Sequence, residues 1–243
     1  MKKLVLILIL LVFTFSFLTA DVYIKQKTHT DAFKMMNQEQ PAKDVITEQW
    51  IGNNKFASHN KDQSMIIDTN KKVLIMINHI TKTYIFMTLP LDISKYMPEQ
   101  MAQMMKQMMG NLSITVKQTG ETKMIGKWKC NRYDITMTMM GMPMNMISWA
   151  STDVPFDWKK ISTLMLESVA KIQMNLNEAS IKEMKKVKGY TIATDMTMNM
   201  MGAKMSVKMV TLEISNKPAG PEVYSVPPGY TKKDKMSMSD MKK

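Results

Sequence analysis

Cysteine is nearly absent from this chain. The single Cys130 excludes an intrachain disulfide framework and any CxxC metal or redox motif. It reads as a buried small hydrophobe. Histidine is scarce: His29, His59 and His79 are too far apart to form a local ligand pair, and each is expected at a solvent edge. Arginine is rarer still, with only Arg132 on the polar face of its segment. Nucleic-acid surfaces favour arginine interleaved with aromatics, so no nucleic-acid partner is expected. GxSxG, HExxH and P-loop patterns are missing. Asp68, Asp134, Asp153 and Asp195 form no acid–base pair, so the chain is not expected to be an enzyme or to carry a cofactor.

What is abundant is methionine, 31 of 243 residues, and lysine, which sets a formal net charge of +12. The lysines are scattered over polar faces and read first as a solvated surface. An anionic envelope membrane surface is a weaker partner for them.

Met1-Lys2-Lys3 is a short basic start, and Leu4–Phe17 is an almost unbroken apolar run. Leu18-Thr19-Ala20 ends it on a small residue. That pattern is a signal peptide over 1–20, cut near Ala20, and the run is short for a membrane span. The mature protein is therefore expected in the periplasm or outside the cell.

From Asp21 to Ile93, β-rich runs are separated by Gly52-Asn53-Asn54, Asn60-Lys61-Asp62 and Thr69-Asn70-Lys71, which reads as consecutive antiparallel hairpins. Pro98 opens a helix whose Met97, Met101, Met104, Met105, Met108 and Met109 form one apolar stripe; Gly110 ends it. Strands resume at Leu112. A second helix is expected after an Asp157 N-cap, and a third over Ala179–Lys186. Strands return over Gly189–Ser215. Residues 231–243, rich in Lys and Met, read as a disordered tail.

One segment is repeated. Asp134–Met144 aligns with Asp195–Met205 at seven of eleven positions. In the first copy Tyr133, Ile135, Met137 and Met139 alternate with polar residues, the period of a half-buried strand. A turn at Met140-Gly141 pairs Met139 with Met142, Met137 with Met144, and Ile135 with Met146. A turn at Met201-Gly202 pairs Met200 with Ala203, Met198 with Met205, and Met196 with Val207. A slip of one residue would carry Lys204, Ser206 and Lys208 to the apolar side, so the register is specified. After Met209 the apolar parity changes, which places a bulge or bend there. Pro143, lacking a donor, belongs near an edge or strand end.

Val or Ile would suit these strands better than Met. Three readings compete. Methionine fills an ordinary core; it lines a cavity for flexible apolar ligands; or its thioethers, about 7 Å apart along a strand, converge on a soft ion such as Cu(I) or Ag(I). Met236, Met238 and Met241 in the tail favour the last.

The layout resembles the lipoprotein-carrier-like (LolA-like) superfamily, in particular an exported family of unknown function within it. The residues that carry the likeness are Asp21-Val-Tyr-Ile, Ile66-Ile-Asp68 leading into Lys82-Thr-Tyr84, Gly126–Tyr133, Trp149–Pro155, Lys188-Gly-Tyr190 and Val226-Pro-Pro-Gly-Tyr230. The resemblance implies an α+β fold over 21–230: one strongly curved antiparallel sheet, an open half-barrel, with two or three helices over its concave face. It implies a hydrophobic cavity between them. The leading expectation is a monomeric, non-enzymatic binding protein for a lipid or acyl chain. Its lining would be Met101, Met104, Met105, Met108, Met137, Met139, Met144, Met146, Met198, Met200 and Met205. The alternative is a periplasmic Cu(I)/Ag(I)-binding protein using the same hairpins and the tail. N-terminal sequencing of protein recovered from its native envelope is expected to start at Asp21; a chain retaining Met1 would overturn the leader.

Overall fold

A computed structural model describes residues 21–35, 38–103, 112–139, 141–164, 166, 176–200 and 203–236. The expected leader, the methionine helix beyond 103 and the tail beyond Met236 lie outside the described residues.

Twelve strands form one sheet. In chain order these are β1 (Val22–Thr30), β4 (Lys43–Ile51), β5 (Lys55–His59), β6 (Gln63–Asp68), β7 (Val73–Asn78), β8 (Thr83–Thr88), β9 (Ser113–Ile125), β10 (Trp128–Met139), β11 (Met142–Ser151), β12 (Tyr190–Met200), β13 (Ala203–Asn216) and β14 (Thr231–Lys232). The spatial order is β14-β8-β7-β6-β5-β4-β1-β13-β12-β11-β10-β9. Two further strands, β2 (Phe33–Met35) and β3 (Gln38–Gln40), pair separately. The sheet thus consists of two meanders, β4–β8 and β9–β13. The first strand lies between them, paired antiparallel with β4 on one side and β13 on the other.

The hairpins of the first meander follow from their turn residues. Asn60 Oδ1 accepts from the amides of Asp62 and Gln63, Asp68 Oδ1 from Lys71, and Asn78 Oδ1 from Ile80 and Thr81. Such side-chain-to-backbone bonds close the chain reversal without long-range help. Lys72 and Lys82 then take positive φ, 51° and 50°, as the chain re-enters the sheet.

The second meander pairs as its alternation requires. Met139 faces Met142, Met137 faces Met144, and Ile135 faces Met146; Met200 faces Ala203, Met198 faces Met205, and Met196 faces Val207. The ladder between β11 and β12 begins at Met144, so Pro143 sits at its end, where no donor is called for. The parity change in β13 falls later than the pattern suggested. Glu213 pairs with Lys25 and Thr211 with Gln26, which leaves Leu212 as the extra residue, 48% exposed. Thr211 stays inside because Gln26 satisfies its hydroxyl. Two other register breaks lie at Ile192 of β12 and opposite Arg132 in β9. Extra residues of this kind bend strands and sharpen their twist.

Both faces of the first meander are buried, which is why β6 and β7 read as nearly continuous apolar runs rather than clean alternation. One face carries Ile24, Ile51, Phe56, Ile67, Leu74 and Met87 under Met97, Met101 and Ile161. The other carries Tyr23, Trp50, Ala57, Ile66 and Ile75 under the returning segment 217–230, through Ala219, Val223, Tyr224, Val226 and Tyr230. Residues 231–236, expected in the tail, belong to the fold. β14 runs parallel to β8, the Met236 amide donates to the Tyr96 carbonyl at 2.6 Å, and the Met236 side chain is buried in the core. The lysine-rich composition concealed one apolar anchor.

Helices are short among the described residues. One opens after Pro98, where the Ala102 amide donates to the Pro98 carbonyl. Asp157 caps the Trp158–Leu164 helix, its Oδ1 accepting from the amides of Lys159 and Lys160. Asn177 caps Glu178–Met184 through the Ser180 amide at 2.8 Å. No helix among the described residues is long and apolar enough to cross a membrane.

Gly189 joins the last helix to β12 at φ +108°, and a Cβ there would lie 2.5 Å from the Ser151 carbonyl carbon and oxygen. Gly189→Ala is expected to lower stability by more than the ~1–3 kcal/mol of backbone strain alone. Gly229→Ala, at φ +80° with open space around it, is expected to show only the strain. Urea midpoints measure both; equal effects would refute the close-approach argument.

Candidate functional site

The helix-covered face of the sheet holds a cleft of about 720 Å³. Its walls are the Trp158–Leu164 helix, through Trp158, Ile161 and Ser162, and the end of the last helix with the segment after it, through Met184, Val187 and Lys188. Tyr133 holds that segment in place: its hydroxyl accepts from the Lys188 amide at 3.1 Å and donates to the Lys188 carbonyl at 3.4 Å. The floor is polar. Gln26 donates from Nε2 to Thr211 Oγ1 at 3.3 Å and to the Tyr190 hydroxyl at 3.4 Å, and Gln49 Nε2 donates to Gln26 Oε1 at 3.2 Å. Burial pushes the Tyr190 hydroxyl well above the ordinary phenol range, so it remains a neutral donor. Apolar walls over a few neutral polar groups are the usual build of a small-molecule pocket, and the volume is within the usual span.

The candidate methionines are divided between two places. Met101 packs in the main core with Met87, Met97 and Met236. Met137 is buried, and Met139, Met144 and Met146 are half-buried, in a second cluster with Leu176, Ile181, Met184 and Met196. Met198 and Met205 are half-buried and stand opposite Met144 and each other in register. Met137, Met144, Met198 and Met205 thus make one row across four adjacent strands. Met200 holds its expected register position opposite Ala203; Met104, Met105 and Met108 lie outside the described residues. None of the other seven, Met101, Met137, Met139, Met144, Met146, Met198 and Met205, lines the cleft. Met184 and Val187 do, and both also pack against the hairpin cluster, so the apolar surface runs from the cleft to the methionine face. Neither was legible in the sequence: Met184 ends a seven-residue helix with too few turns to show a stripe, and Val187 lies in the irregular segment after it. The polar floor was equally hidden, since Gln26 is far in sequence from Tyr190 and Thr191 beside it and from Gln49 and Thr211, which bond it.

A second hollow, about 430 Å³, lies on the opposite face beneath the 217–230 segment. Here two histidines do meet, contrary to the expectation of isolated edge residues. His59 Nδ1 is 2.7 Å from Ser64 Oγ, and Ser64 Oγ is 2.6 Å from His79 Nε2. His79 Nδ1 is 2.9 Å from the Tyr230 hydroxyl, and His59 Nε2 is 2.9 Å from the Val223 carbonyl. Because a carbonyl only accepts, neutral rings have one proton order. Tyr230 donates to His79, His79 to Ser64, Ser64 to His59, and His59 to Val223. The chain of bonds ties the returning segment to the sheet at Val223 and at Tyr230. Turn geometry brings the histidines together: Ser64 pairs with His59 across β5–β6, and the His79 amide bonds the Asp62 carbonyl. The Trp50 indole Nε1 is buried without a partner among the described residues.

Other candidate groups are occupied structurally. Cys130 is fully buried, and burial raises its thiol pKa, as befits an inert hydrophobe. Arg132 donates to Asp134 at 2.8 Å and to Glu121 at 2.9 Å. Among the described residues no group of three or more His, Cys, Asp or Glu could hold a metal ion. No protein-family model matches the chain, and no curated protein matches it.

Burial lowers the pKa of both His59 and His79 below the ordinary imidazole value. The unfolded chain then takes up protons first as pH falls through ~6.5. Their contribution is complete above that pH and is lost below it. Urea midpoints of the wild type are expected to drop between pH 7.5 and 5.5, and the drop to be smaller in His59→Gln/His79→Gln. An identical pH slope in both proteins would contradict the neutral chain.

Proposed function

We propose that this is an exported, monomeric, non-enzymatic protein that binds an apolar ligand such as a lipid or acyl chain on the helix-covered face of its sheet. The observation that carries the reading is the continuity of apolar surface through Met184 and Val187, which wall the cleft and also pack against the hairpin methionines. A chain-like ligand needs such a path: an entry pocket with a polar end and a long adaptable wall. The Tyr190 hydroxyl, which accepts from Gln26, keeps its own proton to donate to a carbonyl or ester group, and the methionines supply side chains that repack around variable chains.

The LolA-like resemblance fits this reading. In such a half-barrel the ligand lies on the concave side, and the register breaks at Leu212, Ile192 and opposite Arg132 favour curvature in that half of the sheet. Export is inferred from the basic start and apolar run at residues 1–17. Burial of most of an alkyl chain at about 25 cal/mol per Å² would supply the affinity.

Native mass spectrometry of protein purified from its own envelope is expected to show a co-purifying lipid. Met184→Glu places an unpaired carboxylate where the cleft meets the methionine face, and desolvating it against an alkyl chain is costly. It is expected to weaken binding of a fluorescent fatty acid at least tenfold, with wild-type circular dichroism. Unaltered affinity, or a wild type that binds no fatty acid, would remove the proposal.

A further inference from the structure

We propose that Met144, Met146, Met196 and Met198 form a binding site for a soft monovalent cation, Cu(I) or Ag(I), on β11 and β12. Met144 stands directly opposite Met198, and Met146 directly opposite Met196. The four positions are therefore the corners of a rectangle on one face of the sheet. Opposite Cβ atoms are about 5 Å apart and same-strand neighbours about 7 Å. The centre of the rectangle is then roughly 4 Å from each Cβ in the plane of the sheet. A thioether reaches over that distance, leaving the sulfur near the roughly 2.3 Å of a metal–sulfur bond. All four side chains are half-buried, neither locked in the core nor free in solvent.

The charge pattern selects the ion. Strand alternation sends Asp195 and Asp134 to the opposite face, so the described strand residues around the quartet offer neutral sulfur and no carboxylate on this face. A divalent cation would be left uncompensated there and would have to be stripped of tightly held water. Soft monovalent ions lose less and prefer thioether ligands. The choice of residue points the same way. β-branched side chains would favour the strands and bury as well, yet four methionines occupy the four corners. Met196, which the repeat alone did not single out as a site residue, completes the quartet. The tail lends no support through Met236, which is a core residue. The quartet lies outside the cleft but on the methionine face that the proposed ligand path uses, so Ag(I) is titrated into protein free of fatty acid and the two readings fail separately.

The test is titration of the protein with Ag(I) by calorimetry, together with methionine methyl-carbon NMR. One Ag(I) is expected to bind, shifting the methyl signals of the quartet and leaving exposed Met124 unmoved. Met144→Leu/Met198→Leu keeps side-chain volume and is expected to lower Ag(I) affinity at least tenfold, whereas Met124→Leu leaves it unchanged. Zn(II) is expected not to compete. Quartet signals that stay still under Ag(I), an affinity unaltered in the double variant, or Zn(II) binding equal to Ag(I) would each overturn the site. The NMR result stands on the wild type alone, so it decides even where the variant is unstable.

Discussion

The pairing of β1 with both of its neighbours is the constraint on which the sheet depends. Each meander closes its own hairpins locally, through Asx-type turns in one and methionine hairpins in the other. Nothing local joins them. β1 does, with nine residues registered against β4 and nine against β13. The second of these contacts joins residues nearly two hundred positions apart, so it closes a long loop at a high entropic cost. Once made, it sets Val22 opposite Ile51 on one side and Ile24 opposite Ile214 on the other, all in the same core. It also brings Gln26 against Thr211 and Tyr190. The cleft floor is thus a consequence of the same strand that joins the two halves.

The two faces of the sheet are then put to different uses. On one, the returning segment 217–230 is fastened by the histidine–serine–tyrosine chain and by Tyr224, whose hydroxyl donates to Asp21 at 2.9 Å. That face is covered by the returning segment, over a hollow that holds the histidine chain. On the other, short capped helices stand over the sheet without filling the space beside Gln26. On the second meander Met139, Met144, Met146, Met196, Met198 and Met205 are half-buried. A side chain in that state is not yet using its full packing energy, and a flexible thioether can still rearrange toward a ligand or an ion.

Legibility followed the range of the interactions. The registers of both methionine hairpins were readable, because a period of two admits only one alignment that keeps Lys204, Ser206 and Lys208 outward. The helix caps at Asp157 and Asn177 act over two or three residues, and the first was anticipated from sequence. The bulge was misplaced by three residues because Thr211 looks like a surface residue until Gln26 is beside it. Met236 looked like tail for the same reason: its neighbours are lysines, and its contact, Tyr96, is remote. Met184 and Val187 could not be assigned to a pocket, since neither belongs to a repeating pattern.

Sequence alone determined the β-rich architecture, the turn positions, the hairpin registers and the sulfur-rich character of one face. These depend on periodicity and on bonds between near neighbours, which a linear chain displays directly. Tertiary structure decided which strand joins the meanders, which histidines touch, where the polar floor lies, and which methionines stand corner to corner. Those depend on residues brought together across much of the chain, where no local pattern records the partner.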